Sequence, residues 1–156
     1  MQADGIFSAQ PEHMAIVVRL FRDYQAELGI DLCFQGFAAE LAGLPGVYAP
    51  PAGALLLAWA GGEAVGVVGL KPLDPPEVAE MKRLYVVPSA RGAGVAEALC
   101  LRIEGVAWLA GYRRLKLDTL ARLDAANRLY QRLGYRPTAP YSYNPEADIR
   151  YFEKAL

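Results

Sequence analysis

Between Pro11 and Gly29 the apolar residues Ile16, Val17, Leu20, Phe21, Tyr24 and Leu28 recur at three- and four-residue spacing, with polar residues between them. That spacing puts them on one side of a helix, so an amphipathic helix is predicted, opened by Pro11 and stopped at Gly29. A short helical piece is predicted over residues 35–42. The breakers Gly43-Leu44-Pro45-Gly46 and Ala49-Pro50-Pro51 follow it and read as a loop inside one domain. The pattern then changes. Residues 54–59 and 64–70 are nearly continuous apolar runs flanking Gly61-Gly62, which predicts a hairpin of two buried strands. Residues 78–87 predict a further strand, rich in β-branched and aromatic residues at its end and closed by Pro88.

Helical spacing returns over residues 92–111, where Val95, Leu99, Ile103 and Val106 form one apolar stripe. Residues 113–119 predict a strand with Leu115 and Leu117 facing one way. Residues 124–133 predict a helix that buries Ala126, Leu129 and Leu133, with Gly134 as its C-terminal cap. Short strands are expected over residues 135–137 and 150–154, either side of the aromatic loop 139–144.

A chain of 156 residues with 54% hydrophobic and 21% charged residues suits one folded domain over residues 1–156. Sixteen basic against seventeen acidic residues give a net charge of -1, so no broad positive field exists for nucleic acid or an anionic membrane surface. Cys33, Cys100 and the single His13 are far apart without metal-ligand spacing; free core thiols and no metal site are expected. The start Met1-Gln2-Ala3-Asp4 lacks a basic, apolar leader, and no apolar run reaches the roughly 18–20 residues that span a bilayer, so a cytoplasmic protein is expected.

The chemistry concentrates at Arg91-Gly92-Ala93-Gly94-Val95-Ala96, between a predicted strand and a predicted helix. Glycines let a turn aim its N–H groups inward, and a helix N-terminus adds unpaired donors and partial positive charge. Together they suit a pyrophosphate. The turn lacks the Lys-Ser/Thr pair of a nucleotide-hydrolysing loop and does not open a βαβ unit with a ribose-binding acid, which disfavours ATP and NAD.

Arg91, Gly94 and Ala96 match every fixed position of Arg/Gln-x-x-Gly-x-Gly/Ala, the acetyl-CoA signature of the GNAT superfamily of N-acetyltransferases, which the chain resembles. Leu84-Tyr85-Val86 resembles the end of that family's fourth strand, and Leu129-Tyr130-Gln131-Arg132-Leu133-Gly134-Tyr135 resembles its Tyr-x-x-x-Gly-Phe/Tyr segment. The likeness runs over residues 54–155, while the N-terminal third agrees only as two helices. The resemblance implies an α/β (α+β) fold: a central mixed, mostly antiparallel sheet flanked by helices, with splayed fourth and fifth strands. It implies acetyl-CoA as co-substrate, its pantetheine arm on the backbone of Leu84, Tyr85 and Val86 and its pyrophosphate on Arg91, Gly92, Ala93, Gly94, Val95 and Ala96. The acetyl group would pass to a primary amine by direct attack on the thioester.

Tyr130 matches the family tyrosine beside the thioester sulfur, which implies a general acid for the departing thiolate; a core tyrosine is the other reading. Glu80, six residues before Val86, resembles the catalytic glutamate of the histone-acetylating branch. Residues 80 and 84 are expected on one strand face about 13 Å apart, so Glu80 would reach the amine through water. A solvated glutamate paired with Lys82 or Arg83 explains it as well. Many relatives carry an asparagine seven residues before the tyrosine; that position is Leu123 here, and Asn127, one helical turn from Tyr130, is the nearest substitute. For the acceptor, the resemblance points to residues 28–37 and 139–148, with Phe34, Tyr141, Tyr143 and Asn144 as candidate substrate residues. Asp31 and Gln35 could hold an amine, although a helix cap explains Asp31, and a core position Phe34, equally well. The tyrosine loop reads equally as a packed lid or a dimer contact, so a homodimer stays open. Near-neutral charge favours a small or amino-acid-like amine. A domain that binds acyl-CoA only to sense or regulate is the competing function.

Overall fold

A computed structural model describes residues 4–156, the side chain of Phe34 excepted. The chain forms β1 (Gly5–Ser8), α1 (Met14–Leu28), α2 (Phe37–Ala42), β2 (Ala54–Ala60), β3 (Glu63–Pro72) and β4 (Val78–Val86). It continues through α3 (Val95–Leu109), β5 (Arg114–Leu120), α4 (Asp124–Arg132), β6 (Arg136–Pro137) and β7 (Ile149–Ala155). Among the described residues the strands make a seven-stranded sheet in the order β1-β2-β3-β4-β5-β7-β6. Every neighbouring pair is antiparallel except β4 and β5, which run parallel. This is the mixed, mostly antiparallel sheet expected.

The sheet separates two cores. On one face Leu56, Val68, Ala79, Met81 and Leu115 pack against Leu99 and Ile103 of α3 and Leu129 and Tyr130 of α4. On the other, Leu57, Val67 and Tyr85 pack against Val17, Leu20 and Phe21 of α1 and Phe37 of α2. The apolar runs of β2 and β3 follow from this placement, since a central strand buried on both faces has no reason to alternate. Helix α1 begins after a 3-10 turn at Pro11–His13, and Gly29 ends it in the left-handed conformation, its N–H donating to Gln25 O.

One strand was not legible in the pattern. Gly5–Ser8 pairs antiparallel with β2, which makes residues 78–86 the fourth strand in chain order. Cys33 is exposed while Cys100 is buried, so only the latter is the core thiol expected. Among the described residues no helix is long and apolar enough to cross a membrane, and no group of three or more His, Cys, Asp and Glu could hold a metal ion.

Candidate active site

The site begins where the sheet opens. Strands β4 and β5 pair at Val78↔Arg114, Ala79↔Leu115 and Glu80↔Lys116, and the ladder ends there although β4 runs to Val86 and β5 to Leu120. Beyond Glu80 the strands diverge into a fork. On its other edge β4 carries a bulge: Val67 pairs with Tyr85 and Gly69 with Lys82, so Arg83 and Leu84 oppose Val68 alone. Arg83 sits at the bulge with φ of 61°, a left-handed conformation that costs a non-glycine residue about 1–2 kcal/mol.

The bulge exchanges the faces of the strand. Ala79 and Met81 belong to the α3–α4 core; after the bulge Val86 and the half-buried Leu84 belong to it, and Tyr85 belongs to the α1–α2 core. Glu80 and Leu84 therefore do not share a face, contrary to the simple alternation expected, because the extra residue at the bulge shifts the period by one.

A cleft of about 610 Å³ runs along the fork, lined by Leu84, Tyr85 and Val86, by Arg91, Gly92, Gly94, Val95 and Ala96, and by Leu123, Ala126 and Leu129 of the α4 region. Gly92 and Gly94 take φ of 86° and 80°, and a Cβ on either would meet nothing within 4 Å, so glycine is needed there for conformation and not for space. Gly94 is the N-cap of α3 and no side chain caps that helix. The first N–H groups of α3 are thus left open toward the cleft, which suits an anion. The Arg91 side chain is committed elsewhere: its Nε donates to Val86 O at 2.9 Å and its Nη2 to both Glu27 oxygens at 2.7 and 2.8 Å. It pins the turn to the end of β4 and to α1.

A throat of about 50 Å³ lies in the crotch of the fork, lined by Tyr24, Arg83, Leu84, Asp118, Leu123 and Tyr130. Burial pushes the Tyr130 phenol well above its ordinary value, and Cys100, Tyr24 and Asp118 add in the same direction. Tyr24 is pushed up to about 12, chiefly by burial and against the lowering effect of Arg83. Both phenols stay protonated at neutral pH, so Tyr130 can give a proton but not take one.

Past the throat a cavity of about 540 Å³ is lined by Gln35, Lys71, Glu80, Lys82, Tyr141 and Tyr143, among others. Glu80 is 3% exposed. Its Oε2 accepts from the Tyr141 hydroxyl at 2.6 Å, and Lys71 and Lys82 stand 3.8 and 3.7 Å from its carboxylate. It is neither solvated nor paired with Arg83. Arg83, also 3% exposed, donates to Glu40 through Nε at 3.0 Å and Nη2 at 2.9 Å, and the Tyr48 hydroxyl donates to the same carboxylate at 2.9 Å.

Three adjoining spaces thus follow one another, with a helix N-terminus at one end and a tyrosine at the throat. The sequence profile described as "Acetyltransferase (GNAT) family" matches residues 17–135. The chain belongs to the GNAT acetyltransferase family. An uncharacterized N-acetyltransferase of Schizosaccharomyces pombe is 38% identical over 142 residues, 90% of this chain and 87% of that one. The N-acetylaspartate synthetase of Danio rerio is 33% identical over 98 residues, 62% of this chain and 35% of that longer protein. The PaiA N-acetyltransferase of Thermoplasma acidophilum, solved in complex with coenzyme A, shares the fold with a TM-score of 0.76 at 16% identity, covering 99% of this chain and 100% of that one.

Within this GNAT domain the structure gathers Leu84, Tyr85, Val86 and all of the turn but Ala93 around the cleft. It puts Tyr130 in the throat and Glu80, Tyr141 and Tyr143 on the 540 Å³ cavity. Other expected site residues lie elsewhere. Asn127 does not line the cleft; its Nδ2 donates to Leu120 O at 2.9 Å and Leu123 O at 2.7 Å, tying the end of β5 to α4. Asn144 accepts from Glu146 N at 2.9 Å and borders a small cavity beside the throat. Asp31 caps a 3-10 turn by accepting from Cys33 N at 2.9 Å, the cap reading of that residue. The side chain of Phe34 lies outside the described residues. Residues not singled out as site residues are Tyr24, Arg83, Lys71 and Asp118. Each reads in sequence as an ordinary member of its element; Arg83 alone carries a backbone oddity, and only coordinates reveal it.

Proposed function

We propose that this protein transfers an acetyl group from acetyl-CoA to the primary amine of a small, amino-acid-like acceptor by direct attack on the thioester. The observation that carries the reading is the line of cleft, throat and cavity with Tyr130 at its middle. The open N–H groups of Gly94, Val95 and Ala96 would hold the pyrophosphate, and the diverging edge of β4 at Leu84–Val86 would align the pantetheine arm so that the thioester reaches the throat. That the Thermoplasma protein was solved with coenzyme A supports acetyl-CoA as the co-substrate.

The acceptor enters from the 540 Å³ cavity. An ammonium has no lone pair, so it must lose a proton first; Glu80, on that cavity, takes it through water. The amine nitrogen then bonds to the thioester carbon, the C–S bond breaks with its electron pair left on sulfur, and the Tyr130 hydroxyl delivers a proton to that thiolate; the second proton, shed by the nitrogen as it becomes an amide, restores the Tyr130 phenol. A phenol held neutral by burial suits this donation. Lys71 and Lys82, held beside Glu80 at distances too long for strong hydrogen bonds, keep donors free for an acceptor carboxylate. The name of the Danio rerio relative, an N-acetylaspartate synthetase, accords with an acidic amino acid in that position. Calorimetric titration with acetyl-CoA, followed by thiol release across amines, amino acids and peptides, tests the reading; absence of acetyl-CoA binding ends it.

A further inference from the structure

Among the described residues, the buried side-chain polar atoms that lack a hydrogen-bond partner are Gln35 Oε1 and Asp118 Oδ2. Both residues line the same small cavity of about 20 Å³, together with Tyr24, Arg83 and Thr119. Buried acceptors normally face donors, because an unmatched one has given up hydration without replacement. The Arg83 guanidinium at this cavity donates to neither oxygen; its Nε and Nη2 are directed at Glu40, at 3.0 and 2.9 Å. What belongs between a carboxylate and an amide oxygen is a group rich in N–H donors, without acceptors, and positively charged. A primary ammonium has all three properties. Size agrees, since a water-sized group needs roughly 10–15 Å³. The cavity admits one nitrogen with its hydrogens and excludes a trimethylated head.

Position agrees as well. Strand β5 last pairs with β4 at Lys116, and Asp118 comes just after, where the fork opens. Asp118 also lines the throat that holds Tyr130 and Leu84. Gln35 also lines the 540 Å³ cavity from which an acceptor would come. The pair thus spans the path from cavity to throat, whereas Glu80 borders the cavity without lining the 20 Å³ space.

We infer that Gln35 Oε1 and Asp118 Oδ2 form the binding site for the acceptor's ammonium group. The inference rests on the acetyltransferase reading above and deepens it. The remainder of an amino-acid acceptor then lies in the larger cavity, within reach of Lys71 and Lys82. A quaternary ammonium is rejected by volume, and an acceptor without a primary amine leaves both oxygens unmatched.

The test compares the wild-type chain with Asp118→Asn and Gln35→Leu, measuring thiol release from acetyl-CoA across the common L-amino acids. In each variant kcat/KM for the amine is expected to fall about 10- to 100-fold, the usual effect of losing a hydrogen bond to a charged group. KM for acetyl-CoA should stay within about twofold, because only acceptor binding is touched. Tm should be unchanged or higher, because a buried unmatched acceptor has been removed. A kcat/KM within about threefold of wild type in both variants overturns the inference, as does a lower Tm with equal losses for both substrates. Where no amino acid is acetylated, methylammonium chloride is the probe, against equal tetramethylammonium chloride. It should raise the wild-type Tm by about 2 °C or more and do so in neither variant, while identical wild-type Tm values in the two salts overturn the inference. Calorimetry of the wild-type chain with acetyl-CoA keeps the two readings apart: no binding there defeats the acetyl-CoA reading, whatever the ammonium result.

Discussion

Replacing Glu40 with Leu tests whether the acceptor side of the fork is held in place by one buried ion pair. The side chains of Arg83 and Glu40 are 2% and 14% exposed, and two hydrogen bonds at 2.9 and 3.0 Å join them. With so little solvent the pair is barely screened, and removing one partner strands the other; such losses run to about 3–5 kcal/mol. Arg83 also sits in a left-handed conformation, and the Tyr48 hydroxyl donates to the same carboxylate. Against a total stability of about 5–15 kcal/mol the change is large. At roughly 2–4 °C per kcal/mol for a chain of this size, Glu40→Leu should lower Tm by about 6–20 °C. Urea denaturation of wild type, Glu40→Leu, Arg83→Met and the double variant provides the measurement. The double variant should cost no more than the worse single one, since it leaves neutral hydroxyls but no buried charge unmatched, which leaves a coupling of ~3 kcal/mol. Additive losses, or a Glu40→Leu effect below ~1 kcal/mol, would refute the reasoning.

Tyr130→Phe should lower kcat by about 10²-fold or more while the acetyl-CoA dissociation constant by calorimetry stays near wild type; unchanged turnover removes the acid role. Gly94→Ala forces a Cβ into φ of 80° at a cost of about 1–2 kcal/mol, which should weaken acetyl-CoA binding roughly 5- to 30-fold; equal affinity would mean that the turn does not hold the pyrophosphate. The Thr138 hydroxyl, followed by Arg114 and Lys116, holds the Glu153 carboxyl below the usual carboxylate range. Its folded value being depressed, the stabilisation is present above the ordinary carboxylate value and is lost as pH falls through the lowered one. The wild-type advantage in Tm over Glu153→Gln should therefore shrink between pH 5 and pH 2, and a constant difference would contradict it. Cys33, exposed although Asp31 pushes its thiol up, should react with a disulfide reagent in the folded chain, whereas buried Cys100, its thiol pushed up to about 12 by burial, should react only on unfolding.

Legibility in the sequence followed how local each feature is. The helices were readable because their periodicity is a property of consecutive residues, and the Arg91–Ala96 turn because its glycines perform their work within the turn. β1 was not readable, because most of its side chains are exposed and it carries no apolar alternation; only the edge of β2 makes Gly5–Ser8 a strand. The face shared by Glu80 and Leu84 failed because nothing about Arg83 announces a left-handed residue, a position usually given to glycine or asparagine.

Asp118 shows the limit most clearly. Between Leu117 and Thr119 it reads as the polar partner in an alternating strand, a residue bound for solvent. Its environment is set by a different event, the end of pairing between β4 and β5 at Lys116, which opens the sheet and turns an outward position into the wall of a throat. The bulge at Arg83 lies on β4 just past the ladder's end, and Arg83 is ion-paired with Glu40 from α2, far away in sequence. Motif matching finds groups that bind through backbone, because turns repeat between relatives. Groups that meet the acceptor arise where separate elements converge, so they emerge only once the fork itself is built.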